Sequence, residues 1–171
     1  SVGEKEAFEK AAEKPENALN IQDLLENRIY KFNLKSKEDI LHRLTEYAAV
    51  QNIITDVHDV YRQILEREEL GHVSNSSGIA LPHIRLPYLD RVFVLCGVLK
   101  NPITWNPEDE YQVDTIFLIL TPKHLPNLHI KALQTIGFFC RSSNCRNTLR
   151  TLLDDKHNAL NPAIPLPVST N

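Results

Sequence analysis

The chain has 171 residues, the size of one ordinary domain with or without a short arm. Its 42% hydrophobic content supports a layered core, and its 24% charged content excludes a disordered tail. A net charge of −3 gives no basic excess for general nucleic-acid binding, and no apolar stretch is long enough for a segment inserted in a membrane.

Residues 1–19 are predicted to form a charged helical arm or linker. Glu6 and Lys10 lie one helical turn apart, which favours a solvated helix, and the segment has no signal-peptide pattern. The chain contains no methionine and begins at Ser1, so we expect it to be cut from something longer. Two interpretations stay open: a trimmed free-standing protein, and a chain that naturally continues before Ser1.

The first part of the predicted domain, which spans 20–155, combines short helices with one strand. Asn20 is expected to cap a helix whose inner face is Ile21, Leu24 and Leu25. Residues 30–34 then alternate between apolar and polar side chains, which indicates a strand. Ser36 and Asp39 resemble a capping box. The helix that follows carries a stripe formed by Ile40, Leu41, Leu44, Tyr47 and Ala48.

The middle of the chain reads as a helix followed by three strands. The helix is expected to begin at Thr55 and to end near Gly71, a typical C-terminal stop, with an inward face of Val57, Val60, Ile64 and Leu65. Apolar runs predict strands at Gly78–Leu81, Val92–Leu99 and Val113–Leu120. Because the last two runs are almost continuously apolar, both faces of the sheet should be covered by helices. Residues 101–107 are predicted to be a connection interrupted by proline.

The last third predicts two helices and a tail. An amphipathic stripe and a shorter one follow the third strand, at Leu128, Ala132, Leu133, Ile136, Phe139 and Cys140, and then at Leu149, Leu152 and Leu153. Residues 156–171 form a proline-rich tail that cannot continue a helix. The predicted fold class is α/β, a single domain with a mixed β-sheet flanked by α-helices. Cys96, Cys140 and Cys145 match no disulfide or zinc template and are expected to be reduced, mostly buried thiols.

The histidines are the main candidates for chemistry, and His83 is the strongest. It follows Pro82 in the run Gly-Ile-Ala-Leu-Pro-His, and we expect it to end a strand with its imidazole aimed out of the sheet end. A neutral imidazole has a lone pair near pH 7, so it can accept a phosphoryl group without a separate strong base. The residues alone leave a structural histidine at a strand end as the alternative.

Several stretches resemble the enzyme IIA domain of the fructose–mannitol type in the bacterial sugar phosphotransferase system, a class that includes the nitrogen-regulatory IIA proteins. The resemblance covers roughly residues 20–150. It rests on Arg67-Glu-Glu-Leu-Gly, Gly78-Ile-Ala-Leu-Pro-His, Pro102-Ile-Thr-Trp, Val113-Asp-Thr-Ile-Phe-Leu-Ile-Leu-Thr-Pro and His129-Ile-Lys-Ala-Leu.

This resemblance implies a role for three residues. His83 matches the histidine that accepts a phosphoryl group, usually on Nε2, from the histidine-containing phosphocarrier protein and passes it to a cysteine of a IIB domain. His129 matches the second active-site histidine, and Arg67 matches an arginine near the phosphoryl site. The resemblance implies a cytoplasmic protein that needs no metal and no organic cofactor.

Departures from the family pattern keep a second function open. The loop before the motif reads Ser74-Asn-Ser-Ser77 where glycines are usual, and Ile84-Arg85 follows the histidine where a small residue is common. The alternative is therefore a IIA-like regulatory domain that relays no phosphate. In one version of this alternative, the domain is the cytoplasmic part of a larger membrane transporter and regulates it. A zinc hydrolase built on His72, His83, His124 and His129 is a third hypothesis, which no ligand motif supports.

Overall fold

The computed structural model describes residues 14–71, 77–108 and 110–154, which form one five-stranded sheet with helices on both faces. In chain order the elements are α1 (Ile21–Leu25), β1 (Ile29–Phe32), α2 (Lys37–Val50), α3 (Val57–Leu70), β2 (Ile79–Ala80), β3 (His83–Leu86), β4 (Phe93–Thr104), β5 (Gln112–Pro122), α4 (Pro126–Arg141) and α5 (Cys145–Asp154). The predicted arm before Lys14, His72, Ser74–Ser76 of the altered loop and the tail from residue 155 lie outside the described residues.

The sheet is mixed, which confirms the predicted fold class. β4 and β5 form its antiparallel centre, β1 pairs in parallel with β4, and β2 and β3 both pair in parallel with β5. Because β2 and β3 contact successive parts of β5, they act as one edge strand with an interruption between them.

The interruption in that edge strand corrects one prediction. His83 begins β3 and does not end a strand. The cause is Pro82, which has no N–H to donate to a sheet ladder, although its carbonyl still accepts from the Ile119 N–H at 2.9 Å. Pairing resumes at once, with His83 opposite Ile119. Proline therefore separates β2 from β3 without changing the direction of the chain.

Two apolar clusters cover the two faces of the sheet, as the apolar strands predicted. The first joins α2 and α3 to the sheet and includes Ile40, Leu44, Ile64, Leu95 and Leu118, all fully or almost fully buried. The second joins α1, α4 and α5 to the opposite face and includes Leu25, Phe117, Ile119, Leu133 and Ile136. The sheet is thus the middle layer of three, and burial on both sides fixes its strands.

Two boundaries differ from the sequence predictions. α3 begins at Val57 and not at Thr55, because the cap is Asp56, whose carboxylate accepts from the Asp59 N–H at 3.0 Å. β4 continues to Thr104, so residues 101–104 are strand and not connection. A shift in register between Val98 and Ile103 lets the strand pass Pro102, which cannot donate to the ladder. Within the described ranges, no helix combines the length and the apolar character needed to cross a membrane.

The cap of α2 generates a stability prediction. The Ser36 hydroxyl accepts from the Asp39 N–H at 3.1 Å. We expect Ser36→Ala to lower the free energy of unfolding by about 1 kcal/mol, because one N–H of the first turn loses its partner. Ser36→Asp keeps a capping acceptor and serves as the control. Urea denaturation measures both, and equal midpoints for Ser36→Ala and the parent chain would contradict the capping role.

Candidate functional site

Three elements bring the predicted site residues to one pocket. Arg67 lies in the last turn of α3, His83 begins β3 and His129 lies in the first turn of α4. All three line a cavity of about 280 Å³. Its other lining residues are Gln63, Glu66, Leu70, Ile84, Arg85 and Lys123. Residues that are 16 and 46 positions away from His83 along the chain therefore converge on it only in the folded protein.

The His83 ring is held in one orientation. Its Nδ1 lies 2.7 Å from the carbonyl oxygen of Leu81. A carbonyl oxygen can only accept, so Nδ1 carries the hydrogen and donates it. In the neutral ring the lone pair is then on Nε2, and Arg67 Nη2 lies 3.4 Å from that atom. In this geometry Nε2 is therefore the basic nitrogen of the ring.

The interrupted edge strand explains why this hydrogen bond forms. Leu81 lies between β2 and β3, in the short gap that Pro82 creates in the ladder. The carbonyl of Leu81 is therefore turned toward the histidine two residues later. His83 is only 5% exposed, so its ring is recessed in the pocket that it lines. This corrects the expectation that the imidazole projects out of the end of the sheet.

His129 lies beside His83 and is fixed by a residue that the sequence analysis missed. The two ring centroids are 5.7 Å apart, with the ring planes at 48°. His129 Nδ1 is hydrogen-bonded to the hydroxyl of Thr121, near the end of β5. When that hydroxyl donates, Nε2 of His129 carries the hydrogen and becomes a donor. The available signal was a threonine directly after the apolar run Ile116–Leu120.

The charge around the pocket favours an anion. Arg67, Arg85 and Lys123 supply three cationic side chains. Among the described lining residues, Glu66 is the only acidic one, and its carboxylate is bonded to Arg62 Nη1 at 2.8 Å. His129 is in the first turn of a 16-residue helix, where the helix dipole is positive. A group carrying negative charge is therefore stabilised next to His83 Nε2.

The other histidines of the zinc hypothesis are not gathered here. His124 lines a separate surface pocket beside Leu125 and Lys131. His72 lies outside the described residues. Within residues 14–71, 77–108 and 110–154, no group of three or more His, Cys, Asp or Glu side chains is arranged to hold a metal ion.

A second feature that the sequence did not predict holds the start of β2, the strand before His83. We call it the arginine brace: Arg146 of α5, Asp114 of β5 and the backbone of Ser77 and Gly78. Arg146 donates to both carboxylate oxygens of Asp114, at 2.8 and 3.4 Å, and to the carbonyl of Ser77. Gly78 has φ +87°, and a Cβ there would lie 2.9 Å from Arg146 Nη2. Only glycine fits this position without a local shift.

The sequence of the chain is similar to one family over most of its length. A sequence model of the EIIA 2 family of the phosphoenolpyruvate-dependent sugar phosphotransferase system matches residues 24–160. A nitrogen regulatory protein of Bradyrhizobium diazoefficiens is 32% identical over 139 residues, which cover 80% of this chain and 88% of that protein. A fructose-like EIIA component of Escherichia coli is 28% identical over 102 residues, covering 60% of this chain and 67% of that protein.

Solved structures share the fold. The nitrogen regulatory protein IIA-Ntr of Neisseria meningitidis superposes with a TM-score of 0.68 at 18% identity, covering 85% of this chain and 99% of that one. The mannitol IIA of Escherichia coli has a TM-score of 0.51 at 15% identity, covering 74% of this chain and 96% of that one. At these identities the likeness supports the three-layer architecture alone.

The His83–Leu81 hydrogen bond generates a prediction about the ring itself. When the ring is neutral, we expect His83 to carry its hydrogen on Nδ1, where the Leu81 carbonyl oxygen accepts it. Long-range nitrogen–proton NMR spectra distinguish the two nitrogens. The spectrum of His124, which lies outside this pocket, is the reference with which the spectrum of His83 is compared. A His83 ring with its hydrogen on Nε2 would contradict the assignment.

Proposed function

The chain belongs to the EIIA 2 family of the phosphoenolpyruvate-dependent sugar phosphotransferase system, and from this premise we propose that it is a phosphohistidine carrier. In this proposal His83 accepts a phosphoryl group on Nε2 from the histidine-containing phosphocarrier protein. It then donates the group to a cysteine of a IIB domain, in sugar uptake or in its regulation.

The observation that carries the proposal is the hydrogen bond from His83 Nδ1 to Leu81. It keeps the lone pair on Nε2, which attacks phosphorus as the bond from phosphorus to the donor nitrogen breaks. No proton has to leave the attacking atom, so no general base is needed at this step. As the ring gains positive character, the Leu81 carbonyl oxygen stabilises the Nδ1–H group.

Arg67 and His129 are proposed to stabilise the phosphoryl oxygens. Phosphoryl transfer depends on positioning and on neutralising charge, because the protein contributes little other covalent chemistry. The Arg67 guanidinium already reaches His83 Nε2 at 3.4 Å, and an N–H of His129 can donate from the other side of the pocket. Arg85 and Lys123 add positive charge at the same pocket.

A protein partner fits the surroundings of this pocket. The ring of His83 is recessed, so the donor must present its phosphohistidine at the pocket mouth. Leu70 lines the pocket and is 83% exposed, which offers an apolar contact beside the charged groups. We propose that the phosphocarrier protein and the IIB domain use this same face in turn, and that the exchange takes place in the cytoplasm.

A regulatory role is the second candidate, and the relatives support it. The Bradyrhizobium diazoefficiens protein that this chain resembles is named a nitrogen regulatory protein. In that role, phosphorylation of His83 changes the affinity for a regulated target, such as a transporter, and no IIB domain receives the group. Incubation of the phosphorylated protein with IIB domains separates the two roles, since only a relay transfers the phosphoryl group to a cysteine.

Replacement of the acceptor tests the proposal directly. We expect phosphoenolpyruvate, enzyme I and the phosphocarrier protein to give an acid-labile adduct on the parent chain and none on His83→Asn. The matched control is His124→Asn, which lies outside the pocket and should label normally. Mass spectrometry at neutral pH measures the adduct. Equal labelling of His83→Asn and the parent chain would reject His83 as the acceptor.

Substitutions of His129 and Arg67, the two neighbours of His83 in the pocket, test their proposed roles. We expect His129→Ala to slow phosphorylation by about 10²-fold, since a donor to the developing charge is lost. Arg67→Lys keeps the charge but not the planar fork, and should cost about tenfold. Rapid-quench labelling measures both rates, and circular dichroism verifies that both variants fold. Rates within twofold of the parent chain would assign these residues a structural role only.

A further inference from the structure

The hydroxyl of Thr121 is bonded to the second imidazole of the pocket from behind. Thr121 is the last residue but one of β5 and is 0% exposed. Its Oγ1 is hydrogen-bonded to Nδ1 of His129. His129 is among the residues that line the pocket, and Thr121 is not. Any influence of Thr121 on a group bound there therefore passes through the His129 ring.

The alternation of β5 places this hydroxyl. Side chains two residues apart in a strand share a face, and Phe117 and Ile119 lie in the second apolar cluster, on the face that α4 covers. Thr121 is the next residue on that face, and His129 is in the first turn of α4. In the parallel pairing with β3, His83 lies opposite Ile119. His83 and Thr121 are therefore on the same face of the sheet.

We propose that Thr121 is a positioning residue that fixes the tautomer of His129, an inference that rests on the proposed phosphocarrier function. The Thr121 hydroxyl donates to Nδ1, so the neutral His129 ring carries its hydrogen on Nε2. That N–H in turn donates to an oxygen of the phosphoryl group on His83. Thr121 itself contacts neither the phosphoryl group nor its donor.

Burial decides the direction of the Thr121–His129 hydrogen bond. A hydroxyl has one hydrogen to donate, and leaving that hydrogen without an acceptor where water does not reach costs free energy. In the part of the chain that the structure describes, His129 Nδ1 is the one hydrogen-bond partner of this hydroxyl. If Nδ1 carried the hydrogen, the hydroxyl hydrogen would have no acceptor there. Donation from Thr121 to Nδ1 is therefore the favoured arrangement.

Two buried threonines in helices show what Thr121 lacks. Thr45 and Thr135 donate to the carbonyl oxygens of Leu41 and Lys131, at 2.6 and 2.8 Å, four residues earlier in their helices. A strand offers no such acceptor, because its carbonyls point sideways to the neighbouring strands. For Thr121 the ring nitrogen therefore takes the place of the backbone carbonyl.

The two imidazoles of the pocket are thereby given opposite properties. Nδ1 of His83 donates to the Leu81 carbonyl oxygen, so Nε2 of His83 has the lone pair. Nδ1 of His129 accepts from a hydroxyl, so Nε2 of His129 has the hydrogen. With the ring centroids 5.7 Å apart, one ring can bond to phosphorus while the other donates to a phosphoryl oxygen. A His129 ring with its hydrogen on Nδ1 would direct a lone pair at that oxygen, which is repulsive.

Nitrogen NMR of the folded chain tests the tautomer without phosphorylation. When the ring is neutral, we expect His129 to carry its hydrogen on Nε2, and the signals that disappear in His129→Ala identify this ring. Thr121→Val keeps the branched shape without a donor, so both tautomers should be populated. Thr121→Ser keeps a hydroxyl and should retain the parent pattern. A hydrogen on Nδ1 in the parent chain, or an unchanged pattern in Thr121→Val, would overturn the proposal.

Phosphorylation rates test the consequence for the reaction. Partners that hold a functional imidazole in one tautomer typically contribute tenfold or more, so we expect Thr121→Val to slow labelling of His83 by about tenfold and Thr121→Ser to slow it less. The matched control is Thr45→Val, which removes an equally buried hydroxyl within α2 and should label as the parent chain does. Circular dichroism verifies each fold, and Thr121→Ala removes the same hydroxyl if Thr121→Val does not fold.

The two measurements separate this inference from the proposed function. If the parent chain is never phosphorylated, the phosphocarrier proposal fails, whereas the NMR spectra still decide whether Thr121 sets the tautomer of His129. If the parent chain and Thr121→Val are labelled on His83 at the same rate, the phosphocarrier proposal stands and the role of Thr121 is rejected.

Discussion

The chemistry proposed for the site depends on one hydrogen bond, from His83 Nδ1 to the carbonyl oxygen of Leu81. An imidazole without such a partner exchanges its hydrogen between two nitrogens and can rotate. Here one nitrogen is occupied by the backbone, so the other is always the one that meets an incoming group. This one hydrogen bond to the main chain therefore sets both the orientation of the His83 ring and the nitrogen that can act as nucleophile.

The rest of the architecture supports that bond. Pro82 opens a gap in the edge strand, which turns the Leu81 carbonyl toward the ring, while parallel pairing with β5 resumes at His83. Apolar burial on both faces of the sheet keeps β5 in place as the template for this edge. The same β5 supplies Thr121, which is bonded to His129. One buried strand thus sets the distance between the two imidazoles.

The sequence was most informative where local rules and burial agree. Ser36 and Asn20 cap helices as their side-chain chemistry predicts, and the apolar runs became the two central strands. It was less informative where backbone pairing decides the outcome, as at Pro102, which a shift in register accommodates within β4. His83 was singled out from its own sequence context, whereas the roles of His129 and Arg67 came from resemblance to a family. Thr121 and the arginine brace were missed, because hydrogen bonds between distant segments leave no periodic signal.

The site is assembled from the end of one helix, the start of an edge strand and the start of another helix. No stretch of neighbouring residues contains it, so neither a nascent chain nor a locally unfolded one presents the same constellation. Under the proposed function, a chain can accept a phosphoryl group from its donor only after these long-range contacts are complete, so partly folded molecules do not compete with folded ones for the donor.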